Sequence, residues 1–201
     1  MTAPARSLVF ITGASSGIGQ ALAARFYAQG HDLALVARNT QAIHEWAMSA
    51  GLDPARYAVY GADVSVEASI VDAGMQCLAR QGLPQVVVAN AGVSWGIDSA
   101  EREDLGVMAK LFATNNLGMA ATFHPFIRAM QARGSGTLVG VASVAAIRGL
   151  PGHGAYCASK AGVVSYCESL RGELRARGVR VVTLLPGYVA TPLTRDNRYG
   201  M

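Results

Sequence analysis

Apolar and polar positions divide the chain into two alternating kinds of segment. Short β-branched or aliphatic runs at residues 8–11, 33–37, 58–61, 86–89, 137–141 and 179–185 predict six strands. Between them, longer segments of helical period predict helices over 17–29, 40–49, 66–81, 101–133 and 156–177. Gly30, Gly51, Gly82, Gly134 and Gly178 follow these five helices and supply their C-terminal stops. The repeated strand–helix order demands right-handed crossovers. The expected fold class is therefore α/β, a doubly wound parallel sheet with helices on both faces.

Composition narrows the picture. At 201 residues the chain fits a single domain, 1–201, and its 51% hydrophobic and 15% charged content suits a sheet buried on both sides. The net charge of +4 is spread along the chain with no basic block, so no nucleic-acid partner is expected. Cys77, Cys157 and Cys167 form neither a disulfide framework nor a zinc pattern, and no metal is expected. Reduced thiols, the lack of a signal-peptide pattern and the lack of a long apolar run point to a cytoplasmic protein without a membrane partner.

The chemistry begins after the first predicted strand, where the chain reads Thr12, Gly13, Ala14, Ser15, Ser16, Gly17, Ile18, Gly19 and opens a helix. Glycines at this turn let backbone N–H groups approach a pyrophosphate, whose charge is favoured at a helix N-terminus. The spacing T-G-x-x-x-G-x-G resembles that of the short-chain dehydrogenase/reductase family. The resemblance extends over nearly the whole chain through Asp63-Val64, Asn90-Ala91-Gly92, Asn115, Ser143, Tyr156-x-x-x-Lys160, and Pro186-Gly187 followed by Thr191. It implies a Rossmann-like fold and a nicotinamide cofactor. It also implies that Asp63 bonds the adenine amino group, that Val64 packs on the adenine, and that the backbone around Asn90 lines the adenosine ribose. Val189 and the Pro186-Gly187 turn then belong to the cofactor site, with Thr191 at the carboxamide.

The second predicted strand ends in Arg38, with no acidic residue where a protein preferring NAD holds the ribose 2′-hydroxyl. A guanidinium there suits a 2′-phosphate, so NADP is expected over NAD. The alternative is a solvated arginine at a strand end, and Ser16 stands where some relatives carry a second basic residue.

Tyr156 and Lys160 are four apart, hence on one face of a helix. A tyrosine of ordinary pKa is a poor base at neutral pH, and a neighbouring ammonium lowers that pKa. The expected reaction is interconversion of a carbonyl and a secondary alcohol, with Tyr156 as general acid/base and Ser143 bonded to the substrate oxygen. By resemblance Lys160 also holds the nicotinamide ribose, and Asn115 holds a water that continues the proton relay. The family spacing to Gly118 selects Asn115 over Asn116, which reads as a helix-surface residue. His153 reads as a pocket wall and Cys157 as a packed side chain. Trp95, Ile97, Val144, Ala146 and Leu150 line or adjoin the substrate pocket or belong to the core.

A competing reading from another class is a dinucleotide-binding scaffold with little turnover, which would have no need of Tyr156 and Lys160 together. The resemblance further implies a homodimer or homotetramer built on helices 101–133 and 156–177. Family members commonly continue past the Pro-Gly turn with a lid, a helix and a seventh strand. Here residues 190–201 can begin a lid, and strand 179–185 would be an open edge. Either the natural chain is longer or a partner subunit covers that edge.

Overall fold

A computed structural model describes residues 6–191. Six strands form one parallel sheet: β1 (Leu8–Thr12), β2 (Asp32–Ala37), β3 (Tyr57–Gly61), β4 (Val86–Ala89), β5 (Gly136–Val141) and β6 (Val179–Leu184). Their order is β3-β2-β1-β4-β5-β6, so the direction of winding reverses between β1 and β4. The crevice at such a switch point, outside the carboxyl ends of the strands, is where open α/β sheets bind ligands.

Alternation along the strands explains the two layers. Val9 and Ile11 of β1 pack with Leu33 and Leu35 of β2 against α1 (Gly17–Ala28) and α2 (Thr40–Ser49), where Ala23, Ile43 and Ala47 are buried. On the opposite face Phe10, Ala34, Val36 and Leu138 meet α3 (Glu67–Arg80), α5 (Gly118–Arg133) and α6 (Gly154–Arg175) through Ile70, Phe123, Phe126, Val163 and Leu170. Phe10 and Phe126 pack as a tilted pair with centroids 4.9 Å apart. With two covered faces the strands must be apolar throughout, which accounts for their near-continuous hydrophobic runs.

The helix expected over 101–133 is interrupted. It begins as α4 (Asp104–Phe112), passes through a π-helical turn at Ala113–Leu117 and resumes as α5. Such a turn re-aims the side chains it carries, and here it carries Asn115 and Asn116. Among the described residues β6 is an edge strand, and Arg171 reaches from α6 to donate from Nε to the Val181 carbonyl at 3.0 Å. No helix of the described residues is long and apolar enough to cross a membrane. The segment read as the start of a lid lies, from residue 192 onward, outside the described residues.

Candidate active site

The switch-point crevice is a cleft of about 740 Å³. Its floor is the turn between β1 and α1. Thr12 Oγ1, almost wholly buried, accepts from the backbone N–H groups of Asn90 and Ala91, both at 3.1 Å. Asn90 Nδ2 donates back to the Thr12 carbonyl at 2.9 Å. These bonds lace the ends of β1 and β4 together. Gly13 has φ +67°, and a methyl group on it would lie 2.8 Å from Asn90 Nδ2; one on Gly19 would lie 2.2 Å from the Gly13 carbonyl oxygen. Both positions need glycine for the helix and turn to approach this closely. Ser16 makes no side-chain capping bond and the first turn of α1 holds no acidic residue. That helix end therefore offers backbone donors and positive dipole to an anion.

Most of the predicted site residues border the cleft. Gly13, Ser15, Ser16, Gly17 and Ile18 do so from the turn, and Arg38, Asp63, Val64, Asn90, Ala91 and Gly92 from the next loops. Ser143, Tyr156, Lys160, Pro186, Gly187, Val189 and Thr191 complete the far end. Thr12, Gly19 and Asn115 do not border it; they hold its walls from behind. Sequence reading missed Asn39, Ser65, Lys110 and Thr114, which also line the cleft. The spacing of four between Lys110 and Thr114, ahead of Asn115, was the available signal for a shared helix face. Thr191 lies close to the glycine turn, its Cβ 3.3 Å from where a Gly17 methyl would stand.

At one end Arg38 Nη1 lies 3.9 Å from Asp63 Oδ2, and the arginine side chain is 74% exposed. Asp63 Oδ1 accepts from the Ser65 N–H at 2.9 Å and its hydroxyl at 2.7 Å. The Ser65 hydroxyl bond outweighs partial burial and holds the Asp63 carboxyl below its usual range. The cleft lining thus carries Arg38, Lys110 and Lys160 against a single carboxylate, Asp63, a balance that suits an anionic guest.

At the other end Ser143, just after β5, accepts from the Ala145 N–H at 3.1 Å and borders the cleft together with Tyr156. Lys160 Nζ stands 5.9 Å from the centre of the Tyr156 ring and donates to the Val141 carbonyl at 2.9 Å. Lys160 is 5% exposed, and loss of hydration drops its pKa from 10.5 to about 8. Burial also raises the Tyr156 pKa, with the nearby Ser143 hydroxyl pulling the other way. This differs from the sequence expectation of a lysine-lowered phenol: desolvation dominates and the ammonium is turned to Val141.

Asn115 is 2% exposed and fully engaged. Its Oδ1 accepts from the Val93 N–H at 2.9 Å, and Nδ2 donates to the Val93 carbonyl at 3.0 Å and to Ser159 Oγ at 2.9 Å. A methyl group on Gly92 would lie 3.1 Å from Asn115 Oδ1 and 3.3 Å from Lys160 Nζ, so the two groups flank one point. Asn116, read as a surface residue, is instead half-buried and donates from Nδ2 to the Ser159 carbonyl at 2.8 Å. Trp95 borders the cleft, whereas His153 and Cys157 are buried outside its lining.

A family model described as short chain dehydrogenase matches residues 7–200. An uncharacterized oxidoreductase of Myxococcus xanthus is 39% identical over 201 residues, covering 95% of this chain and 75% of its own. A short-chain dehydrogenase/reductase of Burkholderia phymatum solved with NAD superposes with a TM-score of 0.86 at 29% identity, over 96% of this chain and 69% of that one. The closed form of a serine dehydrogenase with NADP+ gives 0.86 at 26% identity, over 94% and 76%. The family match over residues 7–200 and the likeness to these relatives and structures show that the chain belongs to the short-chain dehydrogenase family and is a dinucleotide-dependent oxidoreductase.

Proposed function

We propose that the protein interconverts a carbonyl and a secondary alcohol with NADP(H), using Tyr156 as the proton donor and acceptor. The observation that carries this reading is the convergence of Ser143, Tyr156 and buried Lys160 at the end of a cleft whose other end is the glycine turn. When bound, the nicotinamide supplies or accepts the hydride. The chain supplies the rest. Ser143 Oγ orients the substrate oxygen. Tyr156, whose pKa burial raises further above neutral, hands its proton to that oxygen during reduction, and in its ionised form takes the hydroxyl proton during oxidation. Lys160 is a cation below pH about 8 and would be the residue to hold the ribose hydroxyls of the bound nicotinamide. Asn115 fixes the helix that carries both.

The turn from Gly13 to Gly19 receives the pyrophosphate, and Asp63, Val64 and the Asn90-Ala91-Gly92 segment receive the adenosine. Arg38 favours NADP because its partner Asp63 is distant and solvated, a contact worth little and readily exchanged for a phosphate. Replacing Arg38 with Ala should lower kcat/KM for NADPH by roughly 10- to 100-fold, the value of a charge-assisted hydrogen bond, and leave NADH within twofold. Equal losses for the two coenzymes would remove Arg38 from the 2′-phosphate. A homodimer or homotetramer is supported by the exposed Leu117 and Tyr166 on the outer faces of the π turn and α6.

A further inference from the structure

We propose that Ser159 is a positioning residue for Tyr156, the link through which the π turn fixes the proton donor. The inference rests on the reading of Tyr156 as that donor. Ser159 is 0% exposed and stands between Tyr156 and Lys160 on the inner face of α6. Its hydroxyl donates to the Tyr156 carbonyl at 2.8 Å and accepts from Asn115 Nδ2 at 2.9 Å. A serine in a helix commonly bonds the carbonyl one turn back, and here that habit leaves the oxygen lone pairs facing Asn115. Asn115 is in turn paired with both backbone groups of Val93, beyond β4. An unbroken run of hydrogen bonds therefore joins the loop that follows central strand β4 to the backbone of the reacting tyrosine.

A second bond sets the register of the same residue. Asn116 Nδ2 donates to the Ser159 carbonyl at 2.8 Å, so consecutive asparagines of the π turn grip one residue of α6 by its hydroxyl and its carbonyl. The grip depends on Gly162, because a methyl group there would lie 2.6 Å from Asn116 Nδ2. Alanine at 159 would remove the hydroxyl oxygen and leave an Asn115 amide hydrogen buried without its acceptor. The Asn116 bond to the Ser159 carbonyl would remain, while the Tyr156 carbonyl would lose its tie to the π turn.

The test compares Ser159→Ala and Ser159→Thr in the purified protein, with Tyr156→Phe alongside. NADPH affinity is read by fluorescence, kcat and KM on any carbonyl the wild type reduces, and kcat against pH in the oxidative direction. For Ser159→Ala the expected result is an NADPH Kd within twofold of wild type and kcat down roughly 10- to 100-fold, the scale of a misplaced reacting group, with KM little changed. Because Ser143 lowers the Tyr156 pKa, a tyrosine drifting from it should also move the rising limb to higher pH. Ser159→Thr, which keeps the hydroxyl, should restore kcat to within about threefold by the same reasoning. Full kcat in Ser159→Ala, or loss of NADPH binding along with kcat, would overturn the proposal, the latter by assigning the hydroxyl to folding. Wild-type turnover by Tyr156→Phe would instead defeat the donor reading itself.

Discussion

Lys160 sets function against stability, and Lys160→Met separates them. The fall in its pKa from 10.5 to about 8 corresponds to about 3 kcal/mol of penalty for the charged form inside the fold. Methionine removes that penalty at similar length, but leaves the Val141 carbonyl one donor short, at a cost of about 1 kcal/mol. At pH 7 the variant should therefore be more stable by about 2 kcal/mol, a rise in Tm of roughly 4–8 °C for a chain of this size. The pH dependence identifies the cause. Below pH 8 lysine is protonated in both folded and unfolded chains, and the folded state bears the whole penalty. From about 8 to 10.5 the folded protein releases the proton while the unfolded chain keeps it, so wild-type stability rises with pH.

Cys77 and Cys167 oppose that rise above pH 9, since burial raises both thiols. The window between pH 8 and 9 is therefore the cleanest, and the difference between wild type and variant cancels the cysteines. Thermal melts followed by circular dichroism at pH 7, 8 and 9 measure it. A variant less stable than wild type at pH 7, with a difference that does not shrink toward pH 9, would refute the buried-ammonium argument.

Two further predictions concern proton transfer and the frame of the cleft. Because burial holds the Tyr156 phenol up, reduction should persist across neutral pH, while oxidation should climb as pH rises toward ionisation of the tyrosine; initial rates in both directions check this, and oxidation fastest in acid would contradict it. Thr12→Val keeps the shape of the side chain but strips the acceptor from two half-buried N–H groups, of Asn90 and Ala91. The loss should be roughly 2–4 kcal/mol, seen as a fall in denaturant midpoint at unchanged m-value, and NADPH affinity should weaken with it.

The alternation of short apolar runs and helical segments was enough for the strand and helix order, because a sheet covered on both faces must be written that way. The glycine turn was legible for the same kind of reason, since close approach admits only glycine. The π turn was not. Apolar period continues through Leu111, Met119 and Phe123 on both sides of it, so the local pattern reads as one unbroken helix. What interrupts that helix is a pair of asparagines bonded to residues 93 and 159, partners far away in the chain. Asn116 shows the same limit: as a polar residue on a helix it reads as surface, and only α6 packed across it makes it internal. Arg38 and Asp63 were read separately as cofactor contacts, and their facing each other follows from the β2–β3 register, which places Ala37 opposite Gly61.

The account turns on Tyr156 as the proton donor, and Tyr156→Phe tests it most directly because the ring and its packing remain. NADPH consumption with a reducible carbonyl should fall roughly 10²- to 10⁴-fold, the range of a lost general acid, while NADPH binding by fluorescence titration stays within a few-fold of wild type. Turnover by Tyr156→Phe at the wild-type rate would contradict the account.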